Sequence, residues 1–109
     1  MMNQWQQRSL YWVLDGHEVR PVDDVVAWGQ WFHTANRQVA HTALPSGTSI
    51  STVFIGLDHS FRDGPPLLFE TLVFGGACDG EMSRYATWQE AMIGHAVMVA
   101  AVEATEQLP

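Results

Sequence analysis

The sequence predicts an α+β fold: a single domain in which an antiparallel β-sheet carries two helices packed on one face, in the order ββαβββα along the chain. Three observations support this prediction. Short β-rich runs alternate with turn residues, two segments carry apolar residues at helical spacing, and the length of 109 residues suits one domain. We expect one domain over residues 1–109, with residues 1–9 as a loose N-terminal arm.

The first two strands are predicted from a turn. Residues 10–14 read LYWVL and are rich in β-forming side chains. Asp15 and Gly16 follow them and suit a two-residue hairpin turn, so residues 17–20 are predicted to return as the second strand. Pro21 is expected to end that strand, because it lacks a backbone N–H.

The first helix is predicted from a cap and a periodic apolar face. Asp23 or Asp24 can cap its N-terminus, and the helix is expected to run to about Val39. Its apolar face comprises Val25, Trp28, Phe32, Ala35 and Val39. Residues 42–47 contain proline and glycine and are predicted to form a connection.

Three further strands are predicted from β-rich runs at residues 50–57, 67–74 and 82–86. A nine-residue loop, residues 58–66, joins the first two of them. Thr87 and Glu90 have the spacing of a capping box. The last helix is therefore expected to begin there and to run to about Glu106.

The charge balance narrows the classes of function. The chain has five arginines, no lysine and twelve acidic residues, which gives a net charge of −7. This charge argues against direct binding to nucleic acid or to an anionic membrane, and it favours a partner with a basic surface. Simple solubility explains the same charge without a partner. The N-terminus lacks the pattern of a signal peptide, no apolar run has the length of a membrane span, and the single Cys78 fits a reducing compartment. We therefore expect a cytoplasmic protein.

No catalytic motif is recognised in the sequence. It contains no GxGxxG before a helix, no P-loop, no GxSxG and no HExxH. The acidic neighbourhood of Cys78 disfavours a thiolate nucleophile. No catalytic residue, metal ligand or cofactor is assigned, and a non-enzymatic role is favoured.

Candidate binding residues cluster in two segments. The 58–66 loop is crowded with ionisable groups, which is typical of a recognition loop. In residues 79–85, acidic side chains precede an arginine and a tyrosine, and these could form a recognition rim with an aromatic anchor beside the loop. The candidate residues are Asp58, His59, Arg62, Asp63, Glu70, Asp79, Glu81, Arg84 and Tyr85. Solvated turns with local backbone hydrogen bonds explain the same residues without a site.

Glu70 is the most unusual of these residues, because strand alternation places it beside apolar side chains. Three explanations are open. Glu70 can form a structural ion pair with Arg84 or Arg37, which is the explanation we favour. It can act in a cleft. Alternatively, its face of the sheet is partly exposed, and the opposite face, with Phe69 and Val73, carries the core.

His95 and Gly94 lie inside the predicted last helix. A histidine on the apolar side of a helix is expected to be a core residue with satisfied hydrogen bonds. A glycine at such a position predicts the close approach of another backbone or strand.

Several motifs resemble those of a family of small proteins encoded in tailed phages, prophages and bacterial genomes. They are STVFIGLDHSF at residues 51–61, GPPLLFETLVFGG at 64–76, DGE at 79–81, RYATWQEA at 84–91 and GH at 94–95, with a weaker match in residues 23–32 and 37–42. The resemblance covers most of the chain. It implies a compact small domain in a phage or mobile-element context, and it transfers no activity.

Three functions are open on this reasoning. The first is a phage-type accessory protein that binds a host or defence protein in the host cytoplasm, such as an anti-CRISPR inhibitor, through an acidic surface formed by the 58–66 loop and the 79–84 turn. The second is a small-molecule or nucleotide binder or hydrolase with a pocket formed by His59, Glu70 and Arg84. The third is a self-assembling structural protein, for example a homodimer.

Overall fold

The structure is a computed structural model of the chain, and it describes residues 9–58 and 63–107. The elements in chain order are β1 (Tyr11–Asp15), β2 (Glu18–Val22), α1 (Val25–Thr34), β3 (Gln38–Ala43), β4 (Ser49–Phe54), β5 (Phe69–Phe74), β6 (Met82–Tyr85) and α2 (Trp88–Glu106). Residues 1–8 of the expected N-terminal arm lie outside the described residues.

The predicted α+β class is confirmed, and all strand pairs in the described sheets are antiparallel. The strands β1 and β2 form a hairpin, and β3, β4, β5 and β6 form a four-stranded meander in that order. Backbone hydrogen bonds join the two sheets. The Trp12 N–H donates to the Gly56 carbonyl at 2.8 Å, and the Asp58 N–H donates to the Leu10 carbonyl at 3.0 Å. The hairpin is therefore attached to the chain that leaves β4.

The two helices pack against different sheets. The helix α2 lies across the four strands of the meander, whereas α1 packs against the hairpin. Trp28 holds α1 in place, because its indole N–H donates to the Trp12 carbonyl at 2.8 Å and its ring centroid lies 5.1 Å from that of Tyr11. The prediction placed both helices on one face of a single sheet. Of the described helices, α2 contacts all four strands of the meander, whereas α1 reaches its buried face at Phe54, which the Trp31 ring contacts edge-on with centroids 5.8 Å apart.

The first helix is shorter than predicted, because its predicted last turn belongs to a strand. The helix α1 ends at Thr34, and Gln38–Ala43 pairs with β4 instead. Val39 matches the helical spacing of apolar residues, but it packs against the core from β3. The Asn36 side-chain oxygen accepts the N–H of Gln38 at 3.2 Å, which is a bond typical of turns. The prediction of a helix through Val39 is therefore wrong, since pairing with β4 overrides the helical spacing.

Alternation along β4 and β5 gives the meander one buried face. The side chains on this face are Ile50, Thr52, Phe54, Phe69, Thr71 and Val73, and all are buried. They form two clusters, one around Phe54 and Phe69 and one in which Ile50 and Val73 meet Val102 of α2. The core therefore lies between the meander and α2, and the hairpin and α1 close its Phe54 end through Trp12 and Trp31.

Signals at the element ends are largely confirmed. Asp24 caps α1 by accepting two backbone N–H groups of the first turn, and Thr87 and Glu90 form the predicted capping box of α2. Pro21 lies inside β2 rather than after it. It is tolerated because β2 is an edge strand, with β1 as its one partner among the described strands. Neither described helix is long and apolar enough to cross a membrane.

Candidate functional site

The meander has a second face, opposite α2, that no described helix covers. Its residues on β5 and β6 alternate with the buried ones, and cross-strand pairing brings them side by side. We call this surface the open sheet face and define it by Glu70, Leu72, Phe74, Met82 and Arg84. The exposed fractions of Phe74 and Met82 are both 48 %. Two large apolar side chains on one sheet face are typical of an interaction surface.

Glu70 and Arg84 are direct cross-strand neighbours on the open sheet face. The Arg84 Nε donates to Glu70 Oε2 at 3.1 Å, and the two side chains are 31 % and 19 % exposed. Two of the open explanations for Glu70 are therefore confirmed together, since it forms an ion pair with Arg84 and its face is partly exposed. Arg37 has a different role: it donates to the Phe54 carbonyl at 2.9 Å.

The loop between β5 and β6, residues 75–81, is a fixed turn beside the two apolar side chains. The carboxylate of Asp79 accepts the Gly75 N–H at 2.7 Å, and the Gly80 N–H donates to the Val73 carbonyl at 2.9 Å. Asp79 and Glu81 are both exposed. We call these two carboxylates the acidic rim, because Phe74 immediately precedes their loop and Met82 follows it.

The described parts of the 58–66 loop, Asp58 and residues 63–66, lie toward the other end of β5 from the acidic rim. The loop precedes the end at which Phe54 pairs with Phe69, whereas the rim follows the end at which Ser49 pairs with Phe74. These ends are about 17 Å apart at the usual rise per residue. The two acidic segments therefore leave opposite ends of the same strand, and a single surface that includes both of them stays a prediction.

The candidate residues of the 58–66 loop have different surroundings. Asp58 is buried, with 7 % of its surface exposed, so it is not available to a partner surface. Asp63 is exposed. His59 and Arg62 lie outside the described residues. The predicted pocket in which His59 meets Glu70 therefore stays a prediction.

Tyr85 faces away from the open sheet face. It pairs with Phe69 across the strands, and both side chains belong to the core cluster beneath α2. A Cβ built on Gly94 would lie 2.2 Å from the Tyr85 ring, which shows how closely the helix approaches β6. A close neighbour was predicted from Gly94, and it is the side chain of Tyr85 rather than another backbone. Tyr85 lies on the opposite side of β6 from Arg84.

The described arginines are engaged within the chain. Arg20 pairs with Asp15 and Glu18, and Arg84 pairs with Glu70. Arg37 also lies over the ring of Phe32, 3.8 Å from its centroid. The acidic rim forms no ion pair with any of these described arginines. Both of its residues, Asp79 and Glu81, are exposed to solvent.

His95 is buried at the centre of a polar network beneath α2, with 7 % of its surface exposed. The Thr42 Oγ1 lies 2.8 Å from its Nε2, and the Thr52 Oγ1 lies 2.7 Å from its Nδ1. Thr52 also bonds the Thr71 hydroxyl at 2.5 Å. Burial, with a smaller contribution from the charge of His41, lowers the pKa of His95 below its ordinary value of 6.5. The predicted core histidine with satisfied hydrogen bonds is confirmed.

Leu72, Phe74 and Met82 are surface residues that the candidate list lacked. The period-two alternation of β5 could have identified them, because Glu70 marks the less buried side of the strand. Strict alternation would place Leu68 on the same side as these residues, but Leu68 is fully buried. It precedes β5, and its N–H donates to the Tyr85 carbonyl at 2.9 Å, so alternation does not extend to it.

Among the described residues, no group of three or more His, Cys, Asp or Glu side chains is placed to hold a metal ion. Comparisons of the chain with models of known protein families, with curated proteins and with solved structures found no match. The open sheet face and its acidic rim are therefore the candidate site on geometry alone.

Proposed function

We propose that this chain is a non-enzymatic accessory protein, of phage or mobile-element type, that binds a host or defence protein through the open sheet face. The observation that carries the proposal is the juxtaposition of exposed Phe74 and Met82 with the carboxylates of Asp79 and Glu81. Interfaces with an apolar centre and a charged rim use the centre for affinity and the rim for steering and specificity. The phage context and the host cytoplasm rest on the motif resemblance.

The partner surface is basic in this proposal. The chain carries a net charge of −7, and its described arginines are engaged by its own groups. Lysine and arginine side chains of a partner would meet the acidic rim, and apolar side chains would meet Phe74 and Met82. Charge contacts at an exposed rim are screened by salt, so the affinity should fall as salt rises.

The test is affinity capture from a bacterial host lysate with four tagged baits. They are the wild type, Phe74→Ser at the centre of the face, Glu81→Lys at the rim, and a control, Glu103→Lys. Glu103 is also exposed, but it lies on α2, on the other side of the sheet. A partner that the wild type and Glu103→Lys retain, and that both site variants lose, is the expected result.

The partner is then purified and titrated against the wild type by calorimetry at about 0.05 M and about 0.5 M NaCl. We expect weaker binding at the higher concentration. Equal retention by the wild type and both site variants would place the interface elsewhere on the chain. An affinity that is unchanged by salt would remove the role of the acidic rim.

A further inference from the structure

An apolar groove accompanies the contact between α2 and the strand β6. The helix α2 contacts all four strands of the meander, and α1 reaches the same face of the meander at Phe54, through Trp31. A groove of about 310 Å³ runs between α2 and β6, and it is lined by Ser83, Tyr85, Gly94, Val97, Met98 and Ala101. None of these side chains is charged. The groove therefore offers an uncharged, largely apolar recess on the surface of the chain.

The outer side of α2 is apolar as well. Between Glu90 and Glu103 the helix carries no acidic or basic residue other than the buried His95. Ile93 and Val97 are 59 % and 63 % exposed. A helix that is apolar on all sides is normally buried, so this outer side lacks a cover in the single chain.

We propose that a second copy of this chain covers both surfaces, with exposed side chains of α2 of each copy seated in the groove of the other. Each copy offers an apolar groove and an apolar helix side that lacks a cover, so the contact is self-complementary about a two-fold axis. Ile93 and Val97 of one copy then meet the groove beside Tyr85 of the other. This inference does not rest on the proposed function.

The charge distribution favours a second copy over a basic partner as the occupant. Two chains of net charge −7 repel each other wherever their carboxylates meet. The groove and the outer side of α2 form an uncharged region of this acidic surface, so two copies can meet there without placing carboxylates in contact at the centre. A basic partner would gain no charge contact from the same region, and the acidic rim suits it better.

The helix is also long enough for such a contact. Its 19 residues span about 28 Å, and packed helices lie about 8–10 Å apart along their shared length. The open sheet face is on the other side of the meander from α2, so it stays uncovered in the dimer. Dimerisation and partner binding therefore use separate surfaces.

The test is sedimentation equilibrium of the full chain as wild type, as Val97→Glu and as a matched control, Val26→Glu. Val26 is an exposed valine on the other helix, and its exposed fraction of 64 % is close to the 63 % of Val97. We expect a dimeric wild type, a dimer at least about tenfold weaker for Val97→Glu, and wild-type behaviour for Val26→Glu. If Val97→Glu unfolds, as judged by circular dichroism, Ile93→Ser takes its place with the same expected weakening.

Salt separates this contact from the proposed partner contact. The dimer should tighten between about 0.05 M and about 0.5 M NaCl, because salt screens the repulsion between like-charged copies, whereas partner binding should weaken. A wild type that stays monomeric up to about 1 mM overturns the inference, and so does a dimer that is unaffected by Val97→Glu. Neither result bears on capture of a partner by the open sheet face.

Discussion

The ring of Tyr85 lies against the backbone of Gly94, so closely that a Cβ on this glycine would come within 2.2 Å of the ring. This contact joins β6 to the second turn of α2 and forms one wall of the groove between them. It also explains why a residue with a low helix propensity occurs inside a long helix. The close approach of the strand, rather than helix stability, determines the residue at position 94.

Replacing Gly94 with alanine should therefore destabilise the protein, although alanine is the better helix former. The added methyl group collides with the Tyr85 ring, and overpacking of this kind costs about 1–3 kcal/mol. This exceeds the gain in helix propensity of about 1 kcal/mol. Urea unfolding should show a lower midpoint for Gly94→Ala than for the wild type.

Gly29 provides a control for the same substitution. It lies in α1, and a Cβ built on it meets no atom within 4 Å. Gly29→Ala should therefore raise the free energy of unfolding, by up to about 1 kcal/mol. In a protein that already carries Tyr85→Leu, the further change Gly94→Ala should cause a smaller loss of stability than it does in the wild type. A Gly94→Ala protein as stable as Gly29→Ala would show that the Tyr85 ring moves aside without loss.

The stability of the protein should fall when the pH is lowered below 6.5. The pKa of His95 in the folded protein is lowered from its ordinary value of 6.5, so the unfolded chain binds the proton more readily. The stability that comes from the neutral His95 is therefore fully present above pH 6.5, and it is lost as the pH falls from there toward the folded-state pKa. Thermal unfolding across this range measures the decline.

His95→Gln should remove this pH dependence, while His33→Gln, a change at an exposed histidine of α1, should retain it. The glutamine variant is expected to be less stable at neutral pH, because one side-chain amide cannot reproduce both imidazole bonds to Thr42 and Thr52. A decline that persists unchanged in His95→Gln would assign the titration to another group.

The threonines around His95 should contribute unequally to the free energy of unfolding. Thr52 bonds both the His95 Nδ1 and the Thr71 hydroxyl, whereas no bond from Thr71 to the histidine is present. Thr52→Val leaves a buried ring nitrogen without a partner, which costs about 1–3 kcal/mol. Thr71→Val leaves the bond between Thr52 and His95 intact, so the loss of stability should be smaller. Chemical unfolding of the two variants tests this order, and a larger loss for Thr71→Val would contradict it.

The local signals of the sequence predicted most of the elements. The Asp15-Gly16 turn, the aspartate cap of α1 and the capping box of α2 are set by residues within a few positions of each other. The strand β3 could not be predicted in this way. Residues 38–43 carry only a weak β-strand pattern, and they form a strand because they pair with β4. This pairing cannot be inferred from the helical spacing of apolar residues within 25–39.

The candidate site was predictable where it depends on one strand pair. Glu70 and Arg84 were matched from their neighbouring strands, and the exposed face was one of the open explanations. The separation of the 58–66 loop from Asp79 and Glu81 was not predictable, because both segments are acidic loops next to β5. Only the direction of that strand shows that they leave opposite ends. The burial of Asp58 depends likewise on the hairpin that docks beside it.

The ion pair between Glu70 and Arg84 should add little to stability. Both side chains are partly exposed, at 19 % and 31 %, and ion pairs in contact with water contribute about 0.2–1 kcal/mol. A double-mutant cycle with Glu70→Gln and Arg84→Met should give a coupling free energy in this range, and about 1 M NaCl should abolish most of it. We expect these variants to stay folded, so they can also be tested for partner binding. A coupling energy well above 1 kcal/mol that resists salt would mean that the open sheet face is covered in solution.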